Sequence, residues 1–131
     1  MITLAHISDV HLAPLPPVRW TELMTKRITG YVNWRLRRHT SLSGDGLHNL
    51  VQHMKEPAPD FVAVTGDLVN LGLEPEANTA WNWLQTVGEP ENVCVSPGNH
   101  DSYVKPTFGF NNERWGDYMR GETIGAEQFP F

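Results

Sequence analysis

A chain of 131 residues with 40% hydrophobic and 19% charged side chains is one domain by size; a globule of that length buries roughly two-thirds of its unfolded surface. This composition excludes disorder as the main state, and no stretch approaches the ~18 apolar residues of a membrane span. Cys94 is the only cysteine, which excludes an intrachain disulfide. The net charge of −5 hides an asymmetry. Residues 19–38 carry Arg19, Lys26, Arg27, Arg35, Arg37 and Arg38 against Glu22 alone, a segment of +5 beside a remainder of −10. An acidic body suits divalent cations, and a basic segment suits an anion, although a solvated helix face explains the basic run equally well.

In chain order, Ile2 to Ile7 reads as a buried parallel strand that opens into a loop at Ser8-Asp9. Pro14, Pro16 and Pro17 forbid regular structure after it. Thr21 is the expected cap of a helix reaching about Arg38, with Met24, Ile28, Tyr31 and Val32 on one side and Trp20 and Trp34 extending its apolar surface. A second helix is expected from Asp45 as cap to just before Pro57, where Leu47, Leu50, Val51 and Met54 follow the spacing of a single buried stripe. Phe61 to Val64 reads as a central strand. A third helix begins near Pro75, carries Ala77, Ala80, Trp81 and Leu84 on its inner face with Trp83 outward, and stops at Gly88. Val93 to Val95 is the third strand. Asn111 to Arg120 reads as helical, and Phe129 and Phe131 stand at strand spacing near the end.

Strands alternating with helices predict an α/β layered fold with a mainly parallel sheet. The 32 residues from Asp67 to Asn99 fit one crossover, and the 58 from Asp9 to Asp67 fit a crossover plus the extra basic helix. All three strand ends then fall on one edge. Each end carries a polar cluster: Asp9-Val10-His11, Gly66-Asp67, and Gly98-Asn99-His100-Asp101. Asp9 and His11 lie two apart, so continued extension puts both on one side, where they can share a cation. Gly66 lets the chain turn tightly before Asp67, whose two oxygens can bridge two cations. Asn99 offers a neutral oxygen beside His100 and Asp101. Mixed oxygen and nitrogen donors favour Mn, Fe or Zn over Ca or Mg.

These three blocks, in this order and at strand ends, resemble the calcineurin-like metallophosphoesterases, whose first half reads D-x-H, then G-D, then G-N-H-D or G-N-H-E. The segments HISDVHL and VTGDLVN are similar to the bacterial branch related to cyclic nucleotide phosphodiesterases. The resemblance implies a dinuclear phosphoesterase that hydrolyses a phosphodiester or phosphomonoester, with a cyclic nucleotide as one candidate, by attack of a metal-bound hydroxide. It assigns Asp9 and His11 to the first metal, Asp67 to both, and Asn99 to the second. His100 then acts on the substrate, with Asp101 orienting its ring.

The family draws further histidine ligands from its second half, whereas no histidine follows His100 here. The resemblance therefore implies an apparently truncated sandwich of two sheets. Residues 1–131 would be the N-terminal portion of a single metallophosphoesterase domain with a basic helical insertion at about 20–39. The alternative is a catalytically silent binding module. His6, His39, His48 and His53 read as packed or surface residues, and Asn70 and Tyr103 as loop residues. The expected partner is a phosphate ester. Self-association through an exposed sheet edge, membrane contact through 20–38 and nucleic acid binding rank progressively lower or rest on one cluster. Without a basic leader and apolar core at its start, the chain reads as cytoplasmic.

Overall fold

The computed structural model describes residues 1–24, 27–37, 44–102 and 105–120; Tyr103, His39 and the pair Phe129 and Phe131 lie outside them. Three parallel strands, β1 (Leu4–Ser8), β2 (Phe61–Gly66) and β3 (Val93–Pro97), form a sheet in the order β1-β2-β3. The register pairs Ile7 with Val64 and Val64 with Val95, so every C-terminal end reaches the same edge. One face, with Ala5, Ile7, Val62, Val64, Val93 and Val95, joins the core. The other face does not. Leu4, His6, Ser8, Phe61 and Ser96 are exposed, and Ala63, Thr65 and Cys94 are half-buried. The expected buried first strand is therefore a half-buried edge strand, because only one of its two faces meets helices among the described residues.

The basic segment holds two helices instead of one, α1 (Trp20–Leu23) and α2 (Arg27–Arg37). Thr21 lies inside α1 and is not its cap. The cap is Arg19, two residues earlier, whose N–H donates to the Glu22 carboxylate at 2.7 Å and closes the first turn. Helix α3 (Gly44–Lys55) contains Asp45 in its first turn instead of at the cap position, and its inner stripe is Leu47, Val51 and Met54, with Leu50 outside. Helix α4 (Glu74–Val87) runs from beside Pro75 to Gly88, whose N–H donates to the Leu84 carbonyl at 3.1 Å. Its buried stripe is Ala77, Ala80, Leu84 and Val87. The two tryptophans exchange places relative to expectation: Trp83 packs against the core and Trp81 is exposed.

Helix α5 (Lys105–Trp115) begins six residues before the expected start and leads into a 3₁₀ turn, Gly116–Met119. Trp115 is fully buried and donates its indole N–H to the Ala77 carbonyl at 3.1 Å, which locks α5 to α4. No described helix is long and apolar enough to cross a membrane.

Candidate metal centre

Beyond Ser8 the chain leaves the sheet but keeps bonding to the segment after β2. The N–H groups of Asp9, His11 and Leu12 donate to the carbonyls of Thr65, Asp67 and Leu68 at 3.0, 3.0 and 2.9 Å. The extension expected to carry Asp9 and His11 to one side does not persist here. Asp9 (φ +52°) and His11 (φ +44°) are both left-handed, a conformation that costs a non-glycine residue about 1–2 kcal/mol and needs surrounding bonds to hold it. The side chains converge through this kinked backbone. One ligand atom each from Asp9, His11 and Asp67 falls within 4.8 Å of the others.

Two glycines make room for that convergence. A Cβ at Gly66, itself at φ +79°, would lie 2.8 Å from Asp9 Oδ1. At Gly98 it would lie 2.2 Å from Asp67 Oδ1 and 2.8 Å from the Asp67 nitrogen. The glycines of the second and third blocks are thus steric requirements of the carboxylates, beyond their use as turn formers.

Asp67 is the hub. Its Oδ1 accepts the backbone N–H of His100 at 2.7 Å, which leaves Oδ2 facing two imidazoles, His11 Nε2 at 3.8 Å and His100 Nε2 at 4.0 Å. The two rings meet edge to face, with centroids 5.3 Å apart. Successive carbonyls hold both: His11 Nδ1 bonds to the Val69 carbonyl at 3.2 Å, and His100 Nδ1 bonds to that of Asn70. A carbonyl only accepts, so Nδ1 carries the proton in each ring and Nε2 is the atom turned to Asp67.

The loop that supplies those carbonyls, 67–73, is buried along its whole length. Its N–H groups cannot reach water, and two buried carboxylates accept them instead. Asp101 takes Leu68 and Val69, both at 3.0 Å, together with Gly98 at 2.9 Å. Glu76 takes Asn70 at 2.8 Å, Leu71 at 3.1 Å and Leu73 at 2.9 Å. Burial is the main influence on the Asp101 carboxyl and pushes it up to about 7, helped by the Asp67 charge and opposed by its three N–H donors. Burial likewise raises Glu76 against its own donors. On the carbonyl side, Asn70 Nδ2 donates to Leu12 O at 2.9 Å, and Arg27 donates from Nε to Leu71 O at 2.9 Å and from Nη2 to Gly72 O at 2.6 Å.

The structure therefore brings Asp9, His11, Asp67 and the ring of His100 together, and leaves Asn99 exposed on the turn between β3 and α5. One expectation is corrected. Asp101 does not orient the His100 ring, because both its carboxylate oxygens are committed to backbone N–H groups; the Asn70 carbonyl holds the ring. Glu76 and Arg27 were missed as supports. Glu76 had one visible signal, an acid in the first turn of a helix three residues after its N-cap. Arg27 had none, since its partners are backbone atoms 44 and 45 residues away. His6 stays apart on the open sheet face, bonded to Thr65 Oγ1 at 2.7 Å, and His48 and His53 are exposed. An apolar groove of about 430 Å³, lined by Ile2, Leu4, Phe61 and Val93, lies at the opposite, N-terminal end of the strands.

The C-terminal edge of a parallel sheet is where open α/β folds bind ligands, and the cluster of Asp9, His11 and Asp67 at that edge could hold a metal ion. The family model for calcineurin-like phosphoesterases matches residues 2–129, and the chain belongs to that family. No curated protein and no solved structure matches it. Two carboxylates and an imidazole within 4.8 Å fit a divalent cation.

Proposed function

We propose that this chain carries ligands of a dinuclear, metal-dependent phosphoesterase centre. The observation that carries the reading is the turning of two Nε2 atoms toward one carboxylate oxygen, Asp67 Oδ2. Asp9 and His11 would hold one cation and Asn99 a second, with Asp67 serving both; Mn, Fe or Zn would suit these donors. Bound there, the metals would supply Lewis acidity and lower the pKa of water.

The chain's own residues do the rest. His11 is held in the tautomer whose Nε2 lone pair faces the cluster, because Val69 occupies Nδ1–H. His100 is held by Asn70 in the same way, so it can protonate a leaving oxygen from Nε2 only as the imidazolium. Asp101 and Glu76 keep the loop rigid. The substrate is a phosphate ester, and the similarity of HISDVHL and VTGDLVN to the cyclic nucleotide branch supports a phosphodiester of a small soluble nucleotide.

The test is metal binding and hydrolysis of bis(p-nitrophenyl) phosphate with Mn present. His100→Asn should lower kcat by about a hundredfold or more with metal content unchanged, and Asp67→Asn should lower both. Unchanged turnover in Asp67→Asn would remove the bridging role. A second reading, a silent binding module, draws on Asn99 standing exposed on the turn between β3 and α5. Near two equivalents of metal per chain would exclude it.

A further inference from the structure

Helix α2 presents apolar side chains to solvent. Ile28, Val32 and Leu36, four residues apart and so on one helical face, are 53%, 50% and 75% exposed. Trp20 at the start of α1 and Met24 at its end are also exposed, at 85% and 87%. Burial would be expected of a stripe this apolar, yet the helix spends its inward contacts differently. Tyr31 and Trp34 are half-buried and stack on each other at 6.3 Å, and Arg27 reaches in to the Leu71 and Gly72 carbonyls. The sequence of this stretch is cationic, with six basic residues against Glu22 over 19–38; among the described side chains Arg19 and Arg35 are exposed and Arg27 turns inward.

We propose that α2 is an interfacial helix that docks the protein on an anionic lipid bilayer. The apolar face of such a helix sinks into the boundary between headgroups and acyl chains, while flanking cations meet lipid phosphates. Charge complementarity selects this occupant. The rest of the sequence is net −10 and is repelled by an anionic surface, whereas the stretch that holds α2 is +5 in sequence and exposes Arg19 and Arg35, which favours its approach to the membrane. A second copy of the chain would have to bring a second cationic helix alongside the first. A nucleic acid would match the cations and leave the apolar stripe wet. Because Arg27 ties α2 to the loop that aims His11 and His100, the docked helix stays joined to the metal centre. The inference is independent of which ester is hydrolysed.

The test is co-sedimentation of the full chain with vesicles of phosphatidylcholine containing phosphatidylglycerol, alongside fluorescence quenching by acyl-brominated lipid. Partitioning should fall about tenfold in Leu36→Ser, as a half-buried to buried leucine side chain is lost from the interface. It should fall about fivefold per cation in Arg35→Gln and decline at high salt. Brominated lipid should quench the wild type and quench Trp20→Phe less. All three variants sit on exposed positions, and unchanged circular dichroism verifies their fold. No partitioning into anionic vesicles would overturn the proposal, as would partitioning indifferent to Leu36→Ser. A dimer in sedimentation equilibrium that Leu36→Ser dissociates, without vesicle binding, would assign the stripe to a second copy. Binding to a duplex oligonucleotide but to no vesicle would assign the cations to nucleic acid.

Discussion

Loop 67–73 and helix α2 contain similar ingredients, apolar residues among polar and charged ones, but the fold treats them oppositely. In the loop, Leu68, Val69, Leu71 and Leu73 are all buried and the polar backbone between them is enclosed by Asp101 and Glu76. In α2 the apolar residues face water and the backbone satisfies itself within the helix. The difference teaches where precision is needed. An irregular loop must recruit side chains for every N–H it buries, and those rigid bonds are what hold the Val69 and Asn70 carbonyls against two histidines. A helix has no such debt and is free to present a surface.

The sharpest way to break this contrast is Glu76→Ala, which leaves three loop N–H groups without acceptors and should destabilise the protein by about 3–5 kcal/mol in urea unfolding. Retention of wild-type stability would mean that water replaces the carboxylate and that the loop is not sealed. Gly98→Ala should follow at about 3 kcal/mol, because the new Cβ meets both the Asp67 carboxylate and its backbone nitrogen. It should also weaken Mn or Zn binding measured by calorimetry. Arg27→Met keeps the aliphatic stem and removes two donors to loop carbonyls, for an expected cost of about 2 kcal/mol. In that variant the ¹⁵N shifts of the His100 ring should move if the loop relaxes.

Smaller effects sharpen the comparison. Burial raises the Glu76 carboxyl above its ordinary value of 4.5, so the folded chain holds a proton more readily than the unfolded chain. The stability linked to that proton is fully present below about 4.5 and is lost as pH rises through the raised folded value. Carboxyl ¹³C titration with chelator present should show this midpoint displaced upward. Leu36→Ser on α2, by contrast, should leave stability within about 0.5 kcal/mol of wild type, as an exposed position does. A larger loss would show the stripe packed against protein and would merge the two regions into one class.

Particular residues show what was legible beforehand. The ends of α4 could be read because Pro75 and Gly88 act locally, and the three polar clusters because each terminates an apolar run. The inward turn of Trp83 in place of Trp81 could not be read, since both lie within reach of the same stripe and neighbouring packing chose between them. The role expected of Asp101 failed for a related reason. Adjacency in sequence to His100 suggested a side-chain bond, while the buried N–H groups of Leu68 and Val69, 33 and 32 residues away, had the stronger claim on its oxygens.

The sequence by itself determined that three parallel strands deliver Asp9, His11, Asp67 and His100 to one edge, because strand ends and crossover lengths are properties of local pattern and chain length. Only the tertiary structure decided the fine placement. Left-handed backbone at Asp9 and His11, the tautomers of two imidazoles and the inward turn of Arg27 all depend on hydrogen bonds to groups distant in sequence, and no local propensity encodes those.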